Sequence, residues 1–440
     1  MRVFLDILFL IVTTAIMLRS FHLITGYKST SLSDFCILLL YIFQCLPVLL
    51  DYIIGRPEYR TWYSEFRVAI DNDGVSIIYD LYVLTLFVAL YYLSKRMMRR
   101  EIKAEPLSAV NRIPDYVLWI FVLLPFIYII AKGQIRLYLI YASSGARGLE
   151  SNFTTVVSNF LIIGIFSSIL LYFRKEPSHF RVILLAIYSF LAIWVSGKRY
   201  IVATITFCFF FMYILCRRNK RKRLNAKFVV IFGVVALLVY SIYYITNVKI
   251  TSDGSWQSIY AMTRIDFGRD DVVKFTIMKE YFEGQHILDY PCETVISTIF
   301  MIVPRELFPS KAYPHYRYLT AALFHTSISS IPAGMTPSIL EMMIANFRLL
   351  GMPICIIFFC WYCKKADKAE TSAKKFVYAI VLMGMLTQSL DSMLILPYVL
   401  LYIMIFGNVR FTFGRISRQR SNFQIDQTQI SAEASNELHT

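Results

Sequence analysis

Apolar segments alternate with polar segments along most of the chain. A helix needs about 20 mostly apolar residues to cross the core of a bilayer, and stretches close to that length recur about eleven times. They centre on residues 3–18, 35–50, 75–94, 113–131, 153–173, 182–196, 200–216, 228–248, 338–363, 376–390 and 392–409. No small-residue cleavage motif follows the first stretch, so we interpret it as a retained span. The pattern predicts an all-α, polytopic membrane protein with about eleven transmembrane helices.

The short polar segments between these stretches predict the orientation of the chain. Lysine and arginine are retained on the cytoplasmic side, and the segments 95–103, 217–227 and 364–375 are strongly basic. With eleven spans, all three fall on one side, which is therefore predicted to be cytoplasmic. The chain then consists of spans one to eight, a large outer loop, spans nine to eleven, and a disordered cytoplasmic tail. The corresponding ranges are 1–248, 249–337, 338–409 and 410–440.

The outer loop 249–337 is the longest polar segment, and loops of this length are usually functional. Val273, Ile277 and Tyr281 recur every fourth residue, which predicts a helix with an apolar face, lying on the membrane surface or packed over a cavity. The apolar run 294–303 is too short to span, so we expect a re-entrant or interfacial segment there.

The hydrophobic composition of the chain decides how its net positive charge is interpreted. The chain is 57% hydrophobic with a mean hydropathy of +0.56, which excludes a soluble protein. The formal net charge of +16 therefore reflects retention of basic residues on the cytoplasmic face, and no nucleic-acid partner is expected. The positions of the eight cysteines exclude a disulfide framework. No zinc spacing and no soluble-enzyme motif is present, so neither a metal nor a cofactor is expected.

Charged residues in the outer loop and within the spans are the candidates for chemistry. A guanidinium binds two phosphate or carboxylate oxygens at once, so the arginines of the outer loop are candidates for binding an anion. The alternative for each charged residue of the loop is a place on a solvated helix face. Lys198 and Arg199 form a tight tip between two spans and either bind an anion or reach lipid headgroups. Glu341 and Arg348 lie seven residues apart in one apolar stretch, which places them on one helix face. The charges within spans are Asp6, Asp80, Glu341, Arg348 and Asp391.

Three sequence blocks resemble the bacterial oligosaccharide repeat-unit polymerases, the Wzy-type O-antigen and capsule polymerases. The blocks are Ser196-Gly197-Lys198-Arg199, Val303-Pro304-Arg305-Glu306-Leu307-Phe308-Pro309-Ser310-Lys311, and Pro332-Ala333-Gly334-Met335-Thr336-Pro337 followed by Glu341 and Ala345-Asn346-Phe347. Together they lie within residues 196–351, a stretch of about 155 residues. The chain differs from the family pattern at Leu340, where glycine is common, and at Arg348, where a small residue is common.

The resemblance implies a glycosyltransferase of the bacterial cytoplasmic (inner) membrane. Such an enzyme transfers a growing glycan from one undecaprenyl diphosphate carrier to the sugar of another lipid-linked repeat, building O-antigen, capsule or exopolysaccharide. The implied partners are the lipid-linked oligosaccharide and membrane lipid, and the resemblance allows for a chain-length regulator protein. Fixed cations would stabilise the departing diphosphate, and a carboxylate would accept the hydroxyl proton of the incoming sugar.

These roles are assigned to particular residues. Glu341 is the expected base and Arg305 the main expected cation, both catalytic. The expected diphosphate- and substrate-binding residues are Arg199, Lys198, Lys311, Arg264, Arg269, His315 and Arg348, with His315 as the reserve base. Two alternatives stay open. One is an O-antigen ligase or another lipid-carrier glycosyltransferase, and the other is a lipid-linked oligosaccharide flippase or transporter.

Overall fold

A computed structural model describes most of the first 390 residues. The described residues are 2–26, 28–57, 59, 63–98, 115–139, 152–174, 179–196, 199–217, 256–300, 303, 306–331, 335–369 and 372–390. Throughout these ranges the regular structure is helical, and no strand occurs in them. The all-α prediction is therefore confirmed for this part of the chain.

Sixteen helices are labelled here in chain order. The first nine are α1 (Arg2–Thr25), α2 (Leu32–Ile54), α3 (Ser64–Asp71), α4 (Asp73–Met98), α5 (Asp115–Ala131), α6 (Ile135–Tyr138), α7 (Asn152–Arg174), α8 (His179–Ser196) and α9 (Arg199–Arg217). The others are α10 (Trp256–Phe267), α11 (Asp270–Ile277), α12 (Glu293–Ile299), α13 (His315–Phe324), α14 (Ile339–Phe347), α15 (Gly351–Asp367) and α16 (Ser372–Thr387). A π-helical turn, Tyr41–Cys45, lies within α2, and another, Met278–Phe282, continues α11.

Five helical segments are long and apolar enough to cross a membrane, as expected of a multi-pass membrane protein. They are α1, α2, α4, the main part of α7, and the segment from α14 through α15. α5, α8 and α9 are apolar but shorter. The predicted spans 228–248 and 392–409 lie outside the described residues, as does the tail 410–440. The number of spans therefore stays a prediction.

Buried carboxylates join the helices at one end of the bundle. Asp34 in α2 accepts hydrogen bonds from Ser20 Oγ at 2.9 Å, Ser29 Oγ at 2.5 Å and Ser94 Oγ at 2.8 Å. Because a buried charge is stable only when it is paired or hydrogen-bonded, these donors hold α1, α2 and α4 together. Asp367, the last residue of α15, likewise caps the start of α2 by accepting from Leu32 N at 2.5 Å. We call this end of the bundle the Asp34 end.

The predicted orientation requires the three basic segments to lie at the same end of the bundle. The last turns of α4 and α15 carry Lys95 and Lys364, and both turns lie at the Asp34 end because Ser94 and Asp367 form its contacts. At the other end, Arg2 in α1 pairs with Asp73 at the start of α4, with 2.9 Å between Nη1 and Oδ1. Two of the three basic segments thus begin at the same end. Which end faces the cytoplasm stays a prediction.

The predicted ninth span is broken near its start, which corrects one expectation. α14 ends at Phe347, and Arg348 has a backbone φ of 51°, a left-handed conformation that interrupts the helix. Gly351 then approaches α14 so closely that a Cβ on it would lie 2.4 Å from the Met343 carbonyl oxygen. Glu341 and Arg348 therefore do not share one continuous helix face, because the chain turns between them.

Of the two locations expected for the helix in the outer loop, the structure excludes the membrane surface for α11. Val273 and Phe275 are fully buried, but so are Asp270 and Lys274 from the polar positions of the same helix. α11 packs against α3, α4 and α14, which enclose it. The helix is therefore an interior element, and a surface location for it is excluded.

Candidate functional site

A cluster of charged residues surrounds Arg264 at the end of the bundle opposite to Asp34. Arg264 comes from the last turn of α10, Asp51 from the last turn of α2, and Asp270 and Asp271 from the first turn of α11. Lys274 follows one turn later. Only 2% of Arg264 is exposed, and Asp270 is completely buried. The expected solvated face for these charges is therefore wrong. We call these five residues the Arg264 cluster.

The Arg264 guanidinium holds the cluster together through charged hydrogen bonds. Its Nε and Nη2 donate to the two oxygens of Asp51, each at 3.0 Å, and Nη2 also donates to Asp270 Oδ2 at 2.7 Å. Nη2 lies 3.1 Å from Asp271 Oδ1. A Cβ at position 268 would lie 1.9 Å from Arg264 Nη1, so Gly268 is needed for the guanidinium to fit. This two-point geometry is specific to arginine.

The cluster contains three carboxylates and two cations, and its pKa values reflect this imbalance. Burial alone would lower the pKa of Arg264, but Asp270 and Asp271 outweigh burial and raise it well above its usual value. Burial opposes ionisation of Asp270 too, but Arg264 and Lys274 hold the pKa of that carboxyl below its usual value. For Asp271, burial prevails over the attraction of Arg264 and raises the pKa to about 7. Asp271 is therefore the member that gains or loses a proton near neutral pH.

Asp271 is also bound by a phenol from the segment between α2 and α3. The hydroxyl of Tyr59 donates to Asp271 Oδ2 at 2.6 Å. Burial, and after it the charge of Asp271, raises the pKa of Tyr59 well above its usual value, so the phenol stays protonated and is a fixed donor. The carboxyl group of Asp271 is thus held in one orientation in either protonation state.

A small polar cavity of about 40 Å³ lies beside the cluster. Asp51 and Lys274 of the cluster line it together with Arg2, Asp6 and Asp80. Asp80 is buried, and its Oδ2 has no hydrogen-bond partner among the described residues. A space of this size accommodates about two or three waters, which would supply that partner. The cavity therefore connects charged groups of α1, α2, α4 and α11.

A second buried network, centred on Asn346, joins the third sequence block to the segment that precedes the second. Asn346 Oδ1 accepts from the backbone N–H of Thr294 at 3.1 Å and of Val295 at 3.2 Å, which caps the first turn of α12. The Asn346 carbonyl accepts from Cys292 N at 2.9 Å. Thr294 Oγ1 lies 3.5 Å from His315 Nδ1. α14 is therefore fastened to the segment that leads into the block 303–311.

Glu341 and His315, the two expected bases, are both inside the protein. Glu341 is completely buried and forms a capping box with Ser338, whose backbone N–H and hydroxyl bind its two carboxylate oxygens. This contact satisfies the first turn of α14. Burial lowers the pKa of His315 to about 3, which keeps the imidazole neutral. α14, which carries Glu341, packs against α11 of the Arg264 cluster.

The expected cations are only partly brought together. Arg269 adjoins the cluster, and its Nη1 donates to the Gly268 carbonyl at 3.1 Å. Lys311 Nζ donates to the Val303 carbonyl at 3.0 Å, and Arg348 is half-buried at the break after α14. Arg305 and Lys198 lie outside the described residues. Arg199 is the first residue of α9, and its side chain is not described.

Sequence reasoning missed the parts of the site that come from distant positions. Asp51 lies 213 residues before Arg264 in the chain. It directly follows the apolar stretch 35–50, and an acidic residue at such a position ordinarily marks only the end of a span. The run Asp270-Asp271 followed by Lys274 is visible in the sequence, but helical periodicity alone gives no sign that these charges are buried. Asp71, Asn72 and Asp73 form the junction between α3 and α4, in which Asn72 Oδ1 accepts from Val75 N at 3.1 Å.

Comparison with known proteins gives no relative. No family model matches the chain, and neither a curated protein nor a solved structure matches it. Function must therefore be argued from the residues and their geometry. Among the described residues, no group of histidine, cysteine, aspartate and glutamate side chains is arranged to hold a metal ion.

Proposed function

We propose that this protein polymerises lipid-linked oligosaccharide repeats at the outer face of a bacterial cytoplasmic membrane. In this reaction a hydroxyl of the acceptor sugar attacks the anomeric carbon of the donor glycan. The bond from that carbon to the undecaprenyl diphosphate oxygen breaks, and the diphosphate departs with the bonding electrons. A base takes the hydroxyl proton. The protein must therefore hold an anionic leaving group beside a carboxylate.

The observation that carries the proposal is the position of Arg264 and Arg269, which lie beside α11 at one end of the bundle. α14, which carries Glu341 of the third block, packs against α11. Asn346 joins that block to the segment preceding Arg305 and Lys311. Cations held in a fixed orientation stabilise developing negative charge more effectively than mobile ones, because no reorganisation is needed during the reaction.

Each residue then has a distinct proposed role. Arg305, Arg199 and Lys311 contact the diphosphate, together with Lys198. Behind them Arg269 provides positive charge, and Arg264, which is bonded to Asp51 and Asp270, holds α2, α10 and α11 together. Glu341 accepts the proton, which requires substrate to displace Ser338 from its carboxylate. Arg348 contributes to the binding surface for the sugar, and His315, which is buried, supports that surface from within the protein.

The test uses the full chain, purified and placed in liposomes with a defined undecaprenyl-diphosphate-linked repeat. We expect a ladder of lipid-linked products that grows by one repeat at a time. Transfer of glycan only to an added lipid A acceptor, with no lengthening, would identify a ligase instead. Movement of the repeat across the bilayer without lengthening would identify a flippase. Neither result is compatible with the proposal.

A further inference from the structure

Asp80 is a buried carboxylic acid in α4, one of the helices that are long and apolar enough to cross a membrane. It lines the polar cavity beside the Arg264 cluster, which we call the Asp80 cavity. Only 5% of the residue is exposed, and its Oδ2 has no hydrogen-bond partner among the described residues. The proposed reaction does not use this group. A buried carboxylate that is ionised and unpaired is strongly destabilising, so Asp80 needs either a cation or a proton.

Lys274, which enters the cavity from α11, does not supply that cation. Its Nζ donates to Asp270 Oδ2 at 3.2 Å and lies 4.7 Å from the centre of the Tyr79 ring. The ion pair that Lys274 forms in the described part of the chain is with Asp270 and not with Asp80. Its charge therefore compensates the Arg264 cluster, in which the carboxylates already outnumber the cations.

The two arginines that line the cavity are also paired with other carboxylates. Arg2 Nη1 lies 2.9 Å from Asp73 Oδ1 at the start of α4. Arg56 pairs with Asp71 at the end of α3. Each of the three cations around the cavity thus has a carboxylate partner other than Asp80. Asp80 is the acidic group that these pairs leave uncompensated.

Asp6 of α1 is the group that can share a proton with Asp80. Its Oδ2 accepts a hydrogen bond from the Tyr52 hydroxyl and lies 3.7 Å from Arg2 Nε, so Asp6 has the partners that an ionised carboxylate requires. The side chains of Asp6 and Asp80 are within hydrogen-bonding reach of each other. Ionised carboxylates only accept hydrogen bonds, so a bond between the two requires that one of them carries a proton. Asp80, which lacks a cation, is that one.

The Asp80 cavity reaches the surface at the end of the bundle that holds the Arg264 cluster. Tyr52 is 45% exposed and the Arg56 side chain 49%, and both line the cavity. Asp51, the remaining acidic lining residue, is bonded within the Arg264 cluster. Of the other helices packed on α4, α3 contributes Ile70 to the described lining and α15 contributes no residue to it. Water can therefore carry protons to and from the cavity at this end.

We propose that Asp80 binds a proton, which it shares with Asp6 and exchanges with water at this end of the bundle. One oxygen of the neutral carboxyl donates to Asp6, and the other accepts from water in the cavity. The proton thus replaces the missing cation where α1 meets α4. A metal cation needs several oxygen ligands, and no group of acidic side chains in the described ranges is arranged to hold one. This inference does not depend on the proposed reaction.

Infrared spectroscopy of the full chain in nanodiscs near neutral pH tests the site, because a protonated carboxyl has a carbonyl stretching band that a carboxylate lacks. Asp80→Asn keeps the shape and neutrality of the protonated side chain, so it should unfold at the wild-type temperature and lose one such band. The difference spectrum between wild type and this variant separates Asp80 from Asp271. Asp73→Asn is the matched control, because Asp73 is on the same helix but its side chain is 71% exposed. It should keep the band.

Deuterium oxide and a second variant test the exchange and the sharing of the proton. The band should shift to lower frequency in deuterium oxide, and an unshifted band would contradict exchange with solvent. Asp6→Asn leaves Asp80 in place and changes its hydrogen-bond partner, so the band should move; an unmoved band would refute sharing. This variant remains informative if Asp80→Asn does not fold.

Two results would overturn the proton site itself. Equal intensity of the carboxylic acid band in wild type and Asp80→Asn would show that Asp80 is ionised. Appearance of the band only after sodium is removed from the buffer would show that a sodium ion occupies the Asp80 cavity instead of a proton.

Discussion

Replacing Arg264 with alanine is the most direct perturbation of the Arg264 cluster. The substitution removes the two-point bond to Asp51 and the bond to Asp270, but leaves these carboxylates buried. Breaking a buried ion pair by removing one partner typically costs about 3 to 5 kcal/mol. Three charged hydrogen bonds at about 1.5 to 3 kcal/mol each would give a larger loss. Protonation of a carboxyl relieves part of it, so we expect a loss of about 3 to 5 kcal/mol.

Thermal unfolding of the purified protein measures this loss of stability, and the reactivity of its cysteine thiols reports the unfolding. A dye that becomes fluorescent on reacting with cysteine reports unfolding, because most cysteines in the described ranges are buried. The buried ones are Cys36, Cys45, Cys208, Cys355 and Cys363. Arg264→Ala should lower the unfolding midpoint strongly, and Arg264→Lys should fall between it and the wild type, because an ammonium cannot reproduce the two-point bond to Asp51.

Arg67→Ala is the control for this experiment. Arg67 also faces an aspartate, Asp71, at 3.7 Å, but its side chain is 67% exposed, and exposed pairs contribute about 0 to 1 kcal/mol. Its unfolding midpoint should stay close to that of the wild type. If Arg264→Ala and Arg67→Ala unfold at the same temperature, the Arg264 cluster is not a compensated buried network and the reasoning fails.

Three further predictions follow from the site. Because burial raises the pKa of Asp271 to about 7, the folded protein binds more protons than the unfolded chain between about pH 4 and 7, so its stability should fall as pH rises through this window. Asp271→Asn should remove that part of the pH dependence of the unfolding midpoint, and an unaltered pH profile would contradict the assignment. Asn346→Ala leaves two buried N–H donors of α12 without their acceptor, at about 1 to 3 kcal/mol each, so its unfolding midpoint should fall; a wild-type midpoint would show that this network contributes nothing. Arg305→Ala and Glu341→Gln should abolish the polymer ladder at unchanged abundance in the membrane, measured by gel and immunoblot, and a normal ladder from either variant would remove that residue from the mechanism.

Much of the helical architecture follows from the sequence because it depends on local pattern. α1, α2, α4 and α7 lie within or around predicted apolar stretches, since an apolar run of this length has few alternatives to a helix in a membrane. The sixth and seventh predicted apolar stretches correspond to α8, which ends at Ser196, and α9, which begins at Arg199. Here the sequence contains the whole signal, because each helix is formed by one continuous apolar stretch.

Glu341 shows where a local pattern fails to predict a site. Its position seven residues before Arg348 predicts one shared face, but this holds only if the helix continues. Close packing of Gly351 on α14 and the left-handed backbone at Arg348 break the helix between them. Glu341 then binds Ser338 as a cap. Whether a carboxylate in an apolar stretch is a cap or a free base depends on its neighbours in space.

The sequence by itself determined an all-α membrane protein, the position of most apolar helices, and the charged character of the loop 249–337. Tertiary structure alone decided that α11 lies in the interior, and that Arg264 pairs with Asp51 across 213 residues. The physical reason is the range of the interactions. Hydrophobic periodicity is a property of adjacent residues, whereas the compensation of a buried charge depends on which distant groups the fold brings within hydrogen-bonding distance.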